Sequence, residues 1–94
     1  MLNTDKLIVN AITSTLDPFV GSSLAKFVYA YQQKARTQLK EYGLTISQLG
    51  IFSNEYHIYM VWGIAWEGGV KFVRLTWRPD GEKGGYEIYD RNPQ

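Results

Sequence analysis

The chain contains no cysteine and only one histidine in 94 residues. Without cysteine it can have neither a disulfide framework nor a zinc or iron–sulfur site with thiolate ligands. A single histidine also cannot supply a metal site built on several imidazoles. We therefore expect no metal and no cofactor, and no residue pattern identifies a catalytic group. A cysteine-free chain fits a reducing compartment, so we expect a cytoplasmic protein.

Long apolar runs and a marked charge excess are also missing. No segment approaches the roughly 18 apolar residues that a membrane span needs, and the first residues lack a signal-peptide pattern, so we expect no membrane association. The net charge of +1 weighs against a dedicated nucleic-acid binder, since phosphate neutralisation needs clustered Lys and Arg. With 45% hydrophobic and 20% charged residues, the composition is that of a folded domain rather than of a disordered chain.

The first 43 residues have the apolar spacing of two amphipathic helices. The first is predicted over about 5–16 and ends at Asp17-Pro18, because the residue before a proline is disfavoured in the α region. The second is predicted over about 22–42, with Ser22 or Ser23 as its N-cap and Gly43 as its left-handed C-cap. Its basic face (Lys26, Lys34, Arg36 and Lys40) is interpreted as solvated.

From Thr45 onward the apolar period changes from 3.6 residues to two, which is typical of strands. Turn signals divide this half into strands at about 45–52, 55–67, 70–78 and 85–90. The sequence thus predicts one α+β domain over 1–94, with two N-terminal helices packed on one face of a three- to four-stranded antiparallel meander, in two layers.

The turns also predict how the strands pair. A two-residue Gly68-Gly69 turn sets Ile64 opposite Val73, Trp62 opposite Leu75 and Met60 opposite Trp77, all apolar pairs. A Ser53-Asn54 turn would place Ile51 opposite Tyr56 and Leu49 opposite Ile58 on the same core face. Four rings are then predicted to lie in the core: Tyr56, Trp62, Trp66 and Trp77.

The opposite face of the sheet is predicted to carry Tyr59, Val61, Phe72, Arg74 and Arg78. The last strand leaves two alternatives open. A tight Pro79-Asp80-Gly81 turn would send Tyr86 to this outer face, whereas a longer tip through Gly84-Gly85 would send it to the core. An apolar patch on an outer sheet face usually marks a partner surface.

These features give three hypotheses. The leading one is a non-enzymatic interaction module that forms a homodimer, or binds another protein, through Tyr59, Val61, Phe72, Arg74, Arg78 and Tyr86. The second is a binder of a small ligand or single-stranded nucleic acid that uses the same aromatic and Arg side chains. The third is a small pocket protein or enzyme centred on His57 and Trp62, set against the simpler interpretation of His57 as a surface histidine near a turn.

Overall fold

The computed structural model describes residues 4–93, which form two helices followed by a four-stranded antiparallel sheet. Helix α1 spans Thr4–Leu16 and runs into a 3-10 turn over Asp17–Phe19. Helix α2 covers residues 24–41. The strands are β1 (Thr45–Ser53), β2 (Ile58–Trp66), β3 (Gly69–Trp77) and β4 (Gly85–Tyr89), paired in the order β1-β2-β3-β4. The predicted two-layer α+β meander is confirmed.

The ends of α2 follow the predicted capping residues. The Ser23 hydroxyl accepts a hydrogen bond from the Lys26 amide at 3.2 Å, which satisfies one donor of the first turn. At the other end Gly43 has a φ of 79°, the left-handed conformation that glycine adopts without strain. The next residue, Leu44, donates its amide to the Leu39 carbonyl at 3.1 Å and buries its side chain.

One turn of α2, Phe27–Tyr31, is π-helical, which the sequence did not predict. The inward residues Phe27, Tyr31, Ala35 and Leu39 are spaced by four, and on a regular helix each such step would drift by about 40° around the axis. A wider π turn offsets part of this rotation, so these four residues can all face the sheet. Val28, next to Phe27 in the sequence, lies outside this row of inward residues and is 46% exposed.

The core lies between the helices and the inner face of the sheet, and aromatic rings occupy its centre. The Phe27 ring lies 5.7 Å from the Trp62 ring and 5.2 Å from the Trp77 ring, and Phe19 meets Phe27 edge-on at 5.7 Å. Such tilted and edge-on pairs are the favoured geometries of aromatic rings. Trp62 and Trp77 are buried as predicted, whereas Tyr56 lies in a loop and is 66% exposed, so its predicted place in the core was wrong.

The turn between β2 and β3 consists of Glu67 and Gly68, not of Gly68 and Gly69, so the predicted register was wrong. Trp62 pairs with Val73, two residues from its predicted partner. The Trp66 indole lies against the glycines: a Cβ added at Gly68 would meet its Nε1 at 2.8 Å. Because the shift is an even number of residues, every side chain keeps its predicted face.

The connection between β1 and β2 is a four-residue loop over 54–57, not the predicted Ser53-Asn54 turn. The Asn54 side chain closes it by accepting hydrogen bonds from the amides of Tyr56 and His57 at 2.7 and 2.8 Å. A bulge between Gln48 and Gly50 then places Leu49 over Gly63 on the outer face. Leu49 and Ile51 were predicted to extend the core, but both are exposed, Ile51 by 61%.

The segment before α2 is fastened to the tip of the β3–β4 hairpin. The Trp77 indole and the Gly84 amide both donate to the Ser22 carbonyl, at 3.2 and 2.9 Å. The Leu24 amide, one of the free donors at the start of α2, donates to the Gly81 carbonyl at 2.7 Å. The tip therefore completes the N-terminal cap of α2.

A methyl group at Gly84 would break this junction. A Cβ there would lie 2.4 Å from the Trp77 Nε1 and 2.9 Å from the Ser22 carbonyl oxygen. We expect Gly84→Ala to lower the free energy of unfolding by about 1–3 kcal/mol, as overpacking does elsewhere, measured by urea denaturation.

Gly85→Ala is the matched control, because a Cβ at Gly85 meets nothing within 4 Å. Its free energy of unfolding should stay within about 0.5 kcal/mol of wild type, as for an unstrained surface substitution. Equal losses in the two variants would show that the close packing at Gly84 contributes no stability.

Candidate functional site: the outer sheet face and its free edge

The face of the sheet turned away from the helices, called here the outer face, is centred on Arg74. In the observed register Arg74 on β3 lies between Val61 on β2 and Glu87 on β4, and Phe72 lies opposite Gly63. The face is contributed by alternate residues of three neighbouring strands: Tyr59, Val61, Gly63 and Ala65, then Val70, Phe72, Arg74 and Thr76, then Glu87 and Tyr89.

The Arg74 guanidinium is held between two tyrosine rings. Its Cζ lies 5.0 Å from the centre of the Tyr59 ring and 5.3 Å from that of Tyr89, within the range of a cation–π contact. One terminal nitrogen is 3.7 Å from a carboxylate oxygen of Glu87. The Arg74 Nε is buried and has no hydrogen-bond partner among the described residues. The centre of the outer face is therefore filled by its own side chains.

The Glu87 carboxylate also accepts a hydrogen bond from the Tyr89 hydroxyl. This hydrogen bond, together with partial burial, raises the pKa of the Tyr89 phenol above its ordinary value, while the positive charge of Arg74 acts in the opposite direction. Glu87 and Tyr89 were not predicted as part of the outer face, because the register of the last strand was left open.

Four of the six predicted partner residues, Tyr59, Val61, Phe72 and Arg74, lie on the outer face. Val61 is only 2% exposed, so a partner could not reach much of it. Pro93, from the segment after β4, lines a depression of about 320 Å³ together with Val61, Phe52, Tyr59 and Arg74. Pro93 therefore lies beside the outer face.

Tyr86, the sixth predicted partner residue, lies on the inner face, so its assignment to the outer face was wrong. It pairs with Leu75 and packs against the core, because the long β3–β4 tip sets the register of β4. Its hydroxyl donates to an Asp17 carboxylate oxygen at 2.5 Å. Burial and this hydrogen bond raise the pKa of Tyr86 to about 12.

Arg78, the remaining predicted residue, follows β3 and lines a groove of about 430 Å³ at the end of the outer face. It pairs with Asp80 at 3.1 Å. Lys83, which the sequence argument did not single out, lines the same groove, and its backbone has a left-handed φ of 56°. The groove residues with polar side chains are His57, Tyr59, Arg74, Thr76, Arg78, Lys83, Tyr86 and Glu87.

His57 lies at the outer face, beside Tyr59. Its Nδ1 is 3.3 Å from the Tyr59 hydroxyl, at the outer face. Trp62 lies on the inner face, 1% exposed and packed on Phe27, so the two residues do not share a pocket. Among residues 4–93, no three His, Asp or Glu side chains lie close enough together to hold a metal ion.

Among the described residues 4–93, strand β1 forms one edge of the sheet and pairs only with β2. Its nine residues include no charged residue and no proline. Three of its apolar side chains are exposed: Leu49 by 40%, Ile51 by 61% and Phe52 by 45%.

The described helices also include none long and apolar enough to cross a bilayer.

Lys71 forms an ion cluster that the sequence argument missed. It lies on the inner face opposite Ile64 and is 4% exposed. Its ammonium group is 2.5 Å from an Asp90 carboxylate oxygen and 3.1 Å from one of Asp5, and both of these carboxylates are largely exposed. The hydrogen bond to Asp90 is the main cause that raises the Lys71 pKa against the opposing effect of burial, and it lowers the Asp90 pKa.

Removing the lysine and removing its two carboxylate partners should have different effects on the free energy of unfolding. Lys71→Met leaves only exposed carboxylates without a partner, so we expect the free energy of unfolding to change by no more than about 1 kcal/mol. The Asp5→Asn/Asp90→Asn double variant leaves the buried ammonium unpaired and should lose more stability than Lys71→Met, in chemical denaturation at pH 7. The opposite order would mean that Lys71 is solvated.

The pH dependence of the cluster follows from the same pKa shifts. The raised Lys71 pKa gives stability that is present below the ordinary lysine value of about 10.4 and is lost as the pH rises through the folded-state pKa. The lowered Asp90 pKa gives stability that is present above about 3.9 and is lost as the pH falls through its folded-state value. Lys71→Met should lose both contributions, so urea denaturation across pH should show the wild-type advantage in stability shrinking at the acid end and at the alkaline end.

No protein-family model, curated protein or solved structure matches the chain.

Proposed function

We propose that the protein is a small interaction module that self-associates by pairing β1 with β1 of a second copy. The observation that carries this proposal is the character of the β1 edge: nine residues long, uncharged, proline-free and open on one side. The unpaired amides and carbonyls of such an edge can pair with another strand. Charge, proline and bulges are common devices that keep an edge from doing so, and of these β1 has only the bulge between Gln48 and Gly50.

The other edge of the sheet is shorter and carries charge. Strand β4 has five residues, includes Glu87 and is followed by Asp90 and Arg91. Charged side chains on a short edge disfavour strand pairing. With only one edge suited to pairing, association through β1 would stop at a two-fold symmetric dimer rather than continue into a fibre.

The side chains next to the β1 edge add apolar area to the pairing. Phe52 lies opposite Tyr59 on the outer face, and Ile51 lies opposite Met60 on the inner face, so both faces of a continuous dimer sheet would bury apolar groups. Burial of such groups contributes about 25 cal/mol per Å² of apolar area. The bulge at Leu49 interrupts the edge and limits pairing to two short segments, which favours one register over many.

The proposed interface lies on the β1 side of the outer face, whereas the sequence predicted it at the middle of that face. Arg74, held by Tyr59, Tyr89 and Glu87, occupies the middle, and Val61 beside it is buried. Two of the exposed apolar side chains of the outer face, Leu49 and Phe52, belong to β1, and Val70 belongs to the start of β3. A second copy of the chain remains the proposed partner.

We keep the cytoplasm as the proposed location. The chain has no cysteine, so neither its fold nor a β1–β1 dimer could depend on a disulfide. Proteins that fold without disulfides are typical of reducing compartments.

A charge on the β1 edge should prevent the association without unfolding the chain. In an antiparallel two-fold dimer, Ile51→Lys brings two ammonium groups toward the same interface, and like charges close together across strands are destabilising. The Ile51 side chain is 61% exposed, so the monomer should tolerate the change. We expect sedimentation velocity to give a dimer for wild type and a monomer for Ile51→Lys, with unchanged far-UV circular dichroism.

Val28→Lys provides the control, since it makes the same change at a 46% exposed apolar residue on α2, away from β1. This variant should sediment as a dimer, like wild type. A monomeric wild type up to its solubility limit would refute the proposed function. A monomeric Val28→Lys variant with a dimeric Ile51→Lys variant would instead place the interface on the helices.

A further inference from the structure

The groove at the end of the outer face has the charge and donor arrangement of an anion site. Its lining includes three cationic side chains, Arg74, Arg78 and Lys83, and one carboxylate, Glu87. The Thr76 hydroxyl and the His57 ring add groups that can donate hydrogen bonds. A volume of about 430 Å³ is within the range of pockets that hold small organic ligands.

The ion pairs inside the groove are weak enough to be replaced by a ligand. Arg74 is 3.7 Å from a Glu87 carboxylate that is 63% exposed, and Arg78 is 3.1 Å from an Asp80 carboxylate that is 50% exposed. Exposed pairs of this kind contribute little to stability, because water already solvates both partners. The buried Arg74 Nε has no partner among the described residues, so the guanidinium has donor capacity to spare.

Lys83 provides an independent observation. It is the one residue other than glycine with a positive φ in the part of the chain that the structure describes. A left-handed backbone is uncommon for lysine, and Gly or Asn would adopt it at lower cost. Strained residues persist where the surrounding structure holds them, and they cluster at binding sites.

Backbone hydrogen bonds hold the strained segment in place on both sides. The Gly21 amide donates to the Gly84 carbonyl at 2.6 Å, and the Gly84 amide donates to the Ser22 carbonyl at 2.9 Å. Within the tip, the Arg78 amide donates to the Glu82 carbonyl at 3.3 Å. The tip that presents Arg78 and Lys83 is therefore fixed before any ligand arrives, which lowers the cost of binding.

We propose that this groove binds a small phosphate-bearing molecule, with Arg74, Arg78 and Lys83 contacting the phosphate oxygens. A phosphate dianion offers three acceptor oxygens, which suits several cationic donors that converge from two neighbouring segments. Tyr59 is already covered by Arg74, so the site recognises the anion rather than stacking on a base. The three cationic residues of the groove lie on β3 and the β3–β4 tip, so the site does not depend on pairing through β1.

The test uses the full chain and 5′-AMP as probe, titrated at low ionic strength and followed by isothermal calorimetry and amide chemical shifts. We expect 5′-AMP and inorganic phosphate to bind and adenosine not to bind, with shifts concentrated at Thr76, Gly84 and Gly85. Lys83→Asn should weaken 5′-AMP binding by about tenfold or more, as for loss of a charged hydrogen bond. Its melting temperature should be no lower than that of wild type, because Asn tolerates the left-handed backbone.

Lys34→Asn is the control for general electrostatic attraction, because it removes the same charge from an exposed position on α2. Compared with wild type at an ionic strength of about 0.1 M, it should leave 5′-AMP affinity within about twofold, because charges more than about 10 Å apart are then largely screened. Equal weakening in both variants, or no binding of either phosphate probe, would overturn the site. Binding of single-stranded oligonucleotides without measurable 5′-AMP binding would also overturn it, in favour of a nucleic-acid surface.

Discussion

The position of the β3–β4 tip depends on the Ser22 carbonyl, which accepts from both the Trp77 indole and the Gly84 amide. The Trp77 side chain is only 2% exposed, so its indole N–H is cut off from water and is satisfied by the Ser22 carbonyl, which ties residue 22 to the core. The same carbonyl then fixes Gly84 and hence the start of β4. The start of α2, the buried Trp77 ring and the tip that lines the groove are therefore all connected through the Ser22 carbonyl oxygen.

Much of the fold could be predicted from the spacing of apolar residues. The helix limits followed from Pro18, Ser23 and Gly43, where backbone preferences are strong and local. The face on which each β2 and β3 side chain lies followed from the alternation of apolar residues, and a register shift of two residues does not change that face. The turn itself was misplaced because Gly68 and Gly69 look like a primed hairpin turn, whereas neither adopts a left-handed φ. Both glycines instead leave room for the Trp66 ring.

The candidate site was harder to predict because it depends on structure that is not periodic. The bulge at Leu49 reversed the face of one β1 segment, and the length of the β3–β4 tip decided which side Tyr86 occupies. Neither the bulge nor the length of the tip can be predicted from the alternation of apolar residues. Lys71 lies at an inward position that alternation would reserve for an apolar residue, and only the carboxylates of distant Asp5 and Asp90 make its burial possible.

The lysine cluster also has a consequence for how the chain is laid out in space. Asp5, near the start of the sequence, and Asp90, near its end, contact the same ammonium nitrogen. Residues 5–90 thus form a loop in space whose two limits meet at Lys71. Helix α1 and the segment after β4 are therefore held at one point of the sheet, although they lie far apart along the sequence.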